Sequence, residues 1–236
     1  MADWHYDDLR QVGLDFEDSA EVEAYERNQR TNAAQDRVLL DQLGIGAEHV
    51  VIDIGCGTGA FALEAARRCR TVYAVDVSAG MLAFARKRAA GHGLSNIEFR
   101  HGGFLSYVHD GPPADIIVTK YAFHHLPDFW KGIALVRMNG MLRTAGRLFI
   151  SDVVFSFPLS EHRREIDAWI ARMARPAGDG FTAADFATHV RDEHSTYDWI
   201  IEGLIERAGF RIDRKVRWDA IYADYLCAKI ADRSAI

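Results

Sequence analysis

The segment His49-Val50-Val51-Ile52-Asp53-Ile54-Gly55-Cys56-Gly57-Thr58-Gly59 sets a β-branched, mostly apolar run directly against three glycines. A continuous apolar run of this length, ended by glycine, is expected of a parallel strand buried on both faces. Glycine lets the main chain turn sharply and approach a ligand without a Cβ in the way. Residues 60–69, rich in Ala, Leu and Arg, then suit a helix. Strand, glycine turn and helix start together make a cradle for an anionic or nucleoside-like cofactor, because the first N–H groups of a helix have no partner within it.

Working outward, the pattern repeats. A strand is expected over 71–75 and a helix over 78–90 with Ser78 as its N-cap, followed by strands over 97–100, 115–119 and 147–153, the last two separated by a helix over 129–142. Upstream, residues 19–43 are charged with apolar positions at helical spacing, which predicts one or two helices before the sheet. Alternating strands and helices predict a mainly parallel sheet with right-handed crossovers, helices on both faces and a site at the carboxyl ends of the strands. After Val153 about forty residues interrupt the alternation with helical stretches at 161–173 and 183–191, joined by Arg175-Pro176-Ala177-Gly178-Asp179-Gly180; they suit an inserted lid. A helix over 197–208, closed by Gly209, leads to extended runs at 210–218 and 221–229, close enough in sequence to pair antiparallel. The expected fold is therefore α/β: a Rossmann-like, seven-stranded, mainly parallel sheet with its last strand antiparallel, plus N-terminal helices and a helical lid. We divide this single domain into an N-terminal cap (1–45), a cofactor-binding core (46–155), the lid (156–195) and a C-terminal helix with a strand pair (196–236).

Composition bounds the function. A chain of 236 residues with 49% hydrophobic and 26% charged residues is an ordinary globular mix, which excludes disorder and fibrous repeats. A net charge of −6 argues against a general nucleic-acid binder, whose phosphate contacts need clustered Lys and Arg. Three widely spaced cysteines with no Cys-x-x-Cys pair suggest neither a disulfide framework nor a zinc site. The polar, acidic first ten residues lack a signal pattern, and no apolar run of about 18 follows, so a cytoplasmic protein without a membrane partner is expected.

The glycine spacing narrows the cofactor. A dinucleotide fingerprint requires glycine at position 60, where this chain has Ala; the pattern is Gly55-x-Gly57-x-Gly59. Asp53 before the first glycine would repel a pyrophosphate but suits a cationic ligand. S-adenosylmethionine carries a sulfonium and an ammonium and no phosphate. Residues 51–59 resemble the first motif of the class I S-adenosylmethionine-dependent methyltransferases. That resemblance implies a ribose-binding role for Asp76, seventeen residues beyond Gly59 at the end of the next strand. It also implies a cofactor site made from Tyr25, Asp53, Gly55, Cys56, Gly57, Gly59, Asp76, Val77, Met81, Gly103, Phe104 and Lys120. Without it, Asp53 reads equally as the cap of its turn, Asp76 as the cap of the next helix, Cys56 as a small packing residue and Phe104 as core. The family's third motif usually ends in a Gly-Asp pair whose acid meets the adenine amino group; here, in Arg100-His101-Gly102-Gly103-Phe104, Gly103 stands in the acid's place.

The acceptor side is expected at Lys120-Tyr121-Ala122-Phe123-His124-His125-Leu126-Pro127-Asp128. An Asn- or Asp-Pro-Pro-aromatic motif, the mark of amino-directed DNA methyltransferases, is missing. Lys120 and Tyr121 would also be poor magnesium ligands, which speaks against the catechol type. His-His-Leu-Pro-Asp is similar to many small-molecule methyltransferases of this fold, which implies a small-molecule acceptor. His124 is the candidate base or acceptor-positioning group, with a structural histidine as the alternative; Asp152, at the end of the fifth expected strand, points toward the same crevice. No metal site is expected from the adjacent histidines alone. In the lid, His189, His194, Ser195, Thr196 and Tyr197 form a polar cluster able to close over an acceptor, although Ser195 equally suits an N-cap for the helix near Tyr197. Tyr25 and Trp4 are candidates to cover the cofactor. Two rival functions stay open at this point, a non-catalytic S-adenosylmethionine-binding module and a nicotinamide-dependent oxidoreductase, as do a monomer and a homodimer.

Overall fold

The computed structural model describes residues 4–10, 22–23, 25–26 and 33–233. Its sheet is built from β1 (Val50–Ile54), β2 (Thr71–Asp76), β3 (Ile97–His101), β4 (Ala114–Lys120), β5 (Leu142–Phe155), the two-residue β6 (Thr196–Tyr197), β7 (Phe210–Arg217) and β8 (Tyr222–Lys229). The order is β3-β2-β1-β4-β5-β8-β7, with β6 beside β5. Strands β1 to β5 are parallel, and β8 runs antiparallel to both β5 and β7. Strand order reverses between β1 and β4, so the crevice at their carboxyl ends is where an open sheet of this kind takes its ligand.

The helices fully within the described residues are α1 (Ala33–Leu43), α2 (Ala60–Ala66), α3 (Ala79–Gly91), α4 (Asp128–Met141), α5 (His162–Met173), α6 (Ala183–Asp192) and α7 (Asp198–Arg207). All five residues of β1 are buried. The strand's period of two sends Val51 into a core with Leu40, Phe61, Val72 and Ile116, whereas Ile52 and Ile54 join Ile117, Leu135, Leu148 and Ile205 on the opposite face. Ser78 caps α3 by accepting a hydrogen bond from the Met81 N–H at 3.0 Å. Gly209 follows α7 at φ +87, the left-handed conformation that ends a helix.

Several boundaries differ from the sequence expectation. β5 starts at Leu142 rather than at 147, because a bulge between Ala114 and Ile116 in the β4 pairing absorbs the polar Arg143 to Gly146 turn that reads as a break. β6 was not expected, since two residues carry no periodicity. Ser195 does not cap α7; the N-cap is Tyr197, without a side-chain bond, and Ser195 pairs instead with His189 Nε2 at 2.8 Å. Of the expected helices over 19–43, Ala33–Leu43 is α1, and most of residues 11–32 lies outside the described residues.

The segment 156–195, expected as a lid, leaves the sheet at Phe155 and returns at β6, whose Thr196 and Tyr197 pair with Val154 and Phe155. It carries its own small core: Trp169 of α5 is buried with Val153, Phe155, Phe157 and Ile221, and its indole N–H donates to the Tyr222 hydroxyl at 3.0 Å. Among the described residues no helix is long and apolar enough to cross a membrane.

Candidate functional site

The turn after β1 is held by two backbone bonds, Gly55 N–H and Cys56 N–H both donating to the Val75 carbonyl at 2.8 and 3.0 Å. Gly55 adopts φ +77, and a Cβ there would lie 2.3 Å from the Ala122 Cβ, so only glycine lets the β1 turn and the β4 turn touch. Gly57 N–H donates to Asp76 Oδ2 at 2.7 Å, and Ser78 N–H donates to Asp76 Oδ1 at 2.9 Å. A carboxylate offers about four lone-pair positions, so Asp76 keeps capacity for a ligand's vicinal hydroxyls. Burial raises its pKa, against the lowering effect of those N–H bonds.

One cleft collects Tyr25, Gly55, Gly57, Asp76, Val77, Met81, Gly103, Phe104 and Lys120 from the expected cofactor set. The other three are not on its wall. Asp53 is buried beneath the turn, pushed up to about 7 by burial, with Lys120 pulling the other way, and its Oδ2 has no partner among the described residues. Cys56 is buried with its thiol pushed far above its ordinary value by burial, and Gly59 packs against Ala85 of α3. The Lys120 ammonium is paired with Asp36 Oδ1 at 2.5 Å. Trp4 does not line the cleft; it stacks on Trp130, 6.1 Å between ring centres.

The same cleft contains Tyr6, Asp8 and Arg10 from the amino-terminal segment, which motif reading passed over, and Tyr121, Ala122, His125 and Leu126 from the expected acceptor segment after β4. Tyr121 is 42% exposed and sits at φ +52, a costly conformation for an aromatic residue. No spacing rule points to the amino-terminal residues, because a short acidic Asp7-Asp8 pair reads as solvated surface. Asp8 and Asp76 on the wall, with Arg10 the opposing charge, fit a nucleoside that itself carries cationic groups, such as S-adenosylmethionine.

The two histidines behave differently. His124 is 7% exposed and turned inward: Nδ1 lies 2.5 Å from Asp152 Oδ1, and Nε2 lies 3.2 Å from Glu193 Oε2. Burial alone would depress its pKa, but the two carboxylates outweigh that and raise it to about 9, which favours the imidazolium at neutral pH, bonded to Asp152 through Nδ1 and ion-paired with Glu193 through Nε2. Asp152 also accepts from the His124 and Val153 N–H groups, at 3.0 and 2.7 Å. His125 faces the cleft, with its Nδ1 buried and unpartnered among the described residues; burial and the neighbouring His124 charge lower it to about 4, which keeps it neutral. His124, His125 and Glu193 offer ligand atoms within 4.8 Å of one another, but a metal there would have to displace the proton that His124 presents to Glu193.

No residue of 156–195 is among those lining the cleft. The end of the lid is nevertheless fixed beside it, since His194 N–H donates to the His124 carbonyl at 2.8 Å and Glu193 also contacts His189 Nδ1. Lys131, buried on α4, bonds the His194 carbonyl and Asp128. Tyr197 packs between Phe155 and Phe157, away from the cleft, and Phe181 of the lid meets the cleft residue Tyr25 at 6.2 Å.

The family described as "Methyltransferase domain" matches residues 45–225. The chain is 30% identical over 192 residues to an uncharacterized methyltransferase of Geobacillus thermodenitrificans, covering 81% of this chain and 82% of that one. It is 35% identical over 117 residues to another from Staphylococcus carnosus, covering 50% and 53%. Among solved structures it is similar to a SAM dependent methyltransferase from Aquifex aeolicus, with TM-score 0.65, 18% identity, and 90% and 99% of the two chains covered. A geranyl diphosphate C-methyltransferase from Streptomyces coelicolor A3(2) gives TM-score 0.64 at 15% identity, with 84% and 76% covered. A sheet of this order, a glycine turn facing Asp76 and a family match across most of the chain lead to one conclusion: the chain belongs to the methyltransferase domain family and is an S-adenosylmethionine-dependent methyltransferase.

Proposed function

We propose that this methyltransferase acts on a small-molecule acceptor that carries a proton and binds against His125 and Tyr121. The observation that carries this reading is the neutral, unpartnered His125 on the wall of the same cleft as the glycine turn and Asp76. Gly55, Gly57 and Asp76 hold the ribose side of the donor, with Val77, Met81 and Phe104 along its base. Bound there, S-adenosylmethionine supplies a methyl group on a sulfonium, an electrophile whose positive charge disappears on transfer.

The chain's own residues then have two tasks. The first is alignment in a site shielded from water, which supplies much of the rate in such displacements. Tyr25, whose ring meets Phe181 of the lid, and the amino-terminal Tyr6 narrow the entrance and favour a metabolite over a folded macromolecule. The second is handling the acceptor's proton. His125 accepts a hydrogen bond from an acceptor O–H, N–H or S–H and orients its lone pair; a base with pKa about 4 positions more than it abstracts. The task falls to His125 rather than His124 because an imidazolium held by two carboxylates has no free lone pair. His124 and Asp152 fix the turn that presents His125.

The test is release of S-adenosylhomocysteine against panels of thiols, amines, phenols and carboxylates. Turnover with one panel and none with protein or duplex nucleic acid is expected. His125→Ala should then lower kcat by at least about tenfold while leaving S-adenosylhomocysteine binding within a few-fold. Unchanged kcat in that variant would remove His125 from the reaction, and methylation of intact macromolecules would overturn the small-molecule reading.

A further inference from the structure

Gly103 is not placed for backbone freedom; it is placed for space. A Cβ at residue 103 would lie 2.4 Å from Asp8 Oδ2 and 3.0 Å from Asp8 Cγ, so the carboxylate of a residue 95 positions earlier occupies the volume of a side chain at 103. The hydrogen bonds tell the same story. Asp8 Oδ2 accepts from Leu105 N–H at 2.6 Å and from Ser106 N–H at 3.2 Å. These are the second and third residues beyond 103, the pair of donors that an aspartate at 103 would itself cap. Asp8 therefore stands in for the missing side chain both in place and in bonding.

We propose that Asp8 is the purine-recognising acid of the donor site, supplied by the amino-terminal segment in place of the strand-end residue. The inference rests on the donor reading above and concerns only this chain's residues. Asp8 lines the cleft beside Gly103 and Phe104, and its Oδ1 accepts no hydrogen bond among the described residues. A free carboxylate oxygen there selects a base that donates a hydrogen, namely the exocyclic amine of a 6-aminopurine, and disfavours a 6-oxopurine, whose oxygen would face it. The segment that carries Asp8 is also fixed at other points. The Tyr6 hydroxyl donates to the His125 carbonyl at 3.3 Å, and Trp4 stacks on Trp130. The segment that carries Asp8 therefore also covers the turn bearing His125.

The alternative is that Asp8 only caps the 103–107 turn. Calorimetric titration with S-adenosylhomocysteine and S-inosylhomocysteine separates the two. The wild-type chain should bind the adenosyl compound about tenfold or more tightly than the inosyl one, the range expected for a hydrogen bond to a charged group. Asp8→Asn keeps an oxygen for the Leu105 and Ser106 N–H groups but presents an amide N–H₂ to the base, so the preference should collapse or invert. Gly103→Asp should weaken binding in the wild-type background, where it collides with Asp8, and restore it in Asp8→Ala. An unchanged adenosyl-to-inosyl ratio in Asp8→Asn, or no recovery in Asp8→Ala/Gly103→Asp, overturns the assignment of Asp8 alone. Failure of the wild-type chain to bind S-adenosylhomocysteine overturns the donor reading and this inference together.

Discussion

His124 and His125 are neighbours in sequence and opposites in charge: one is clasped by Asp152 and Glu193 and raised to about 9, and the other, whose Nδ1 has no partner among the described residues, is lowered to about 4 by burial and the His124 charge. Removing His124 leaves two buried carboxylates facing each other, so His124→Ala should cost about 3 kcal/mol in urea unfolding, with His125→Ala costing well under half of that. A folded pKa above the ordinary 6.5 means that His124 stabilises fully below pH 6.5, and that the contribution is lost as pH rises toward 9. For His125 the sign reverses: its folded pKa is depressed, so its contribution is present above pH 6.5 and lost as pH falls toward 4. Asp53, pushed up to about 7, opposes His125 over the acid range, so the distinctive limb is the alkaline one: melting temperature measured by calorimetry should fall between pH 6.5 and 9, and His124→Gln should flatten that fall; an unchanged alkaline limb would refute the clasp. At Gly55, substitution by alanine should abolish S-adenosylhomocysteine binding, because φ +77 and contact with Ala122 leave the new methyl nowhere to go.

At the scale of elements, the lid is held at its far end by a few polar contacts and at its base by Trp169. Lys131→Met removes the bonds to the His194 carbonyl and Asp128 and should speed hydrogen exchange across 189–196, leaving β1 and β4 protected. Equal exchange in both regions would show that the lid is not an independent unit. Most elements were legible because their physics is local: the apolar run of β1, the Ser78 cap and the Gly209 stop each act within a few residues. β6 and the full length of β5 were not legible, since a two-residue strand and a bulged start depend on partners far along the chain. The same division holds in the site. The glycine turn and Asp76 announce themselves by spacing, whereas the roles of His124 and His125 depend on Glu193, whose approach to the turn no spacing encodes.

For the whole molecule, the donor reading makes a quantitative demand on stability. A ligand that binds only the folded chain stabilises it by about 2.7 kcal/mol at a hundred times its Kd, so S-adenosylhomocysteine should raise the melting temperature by several degrees while NAD leaves it unchanged. A shift with NAD would return the oxidoreductase to consideration. The sheet ends at β7 in Arg211, Asp213, Arg214, Lys215 and Arg217, a charged edge that resists pairing with further strands.

Because Phe155 and Tyr197 lie side by side in register, the forty residues between the sheet and α7 leave and return through a single doorway. Such an insertion behaves as a cassette. Its outer connection at 175–180 lies away from the pairing of β5 with β4 and β8, whereas Trp169, packed on Val153 and Ile221, ties its base to the sheet. None of these forty residues lines the cleft, so the cleft is built wholly on one side of that doorway, from residues between Tyr6 and Leu126.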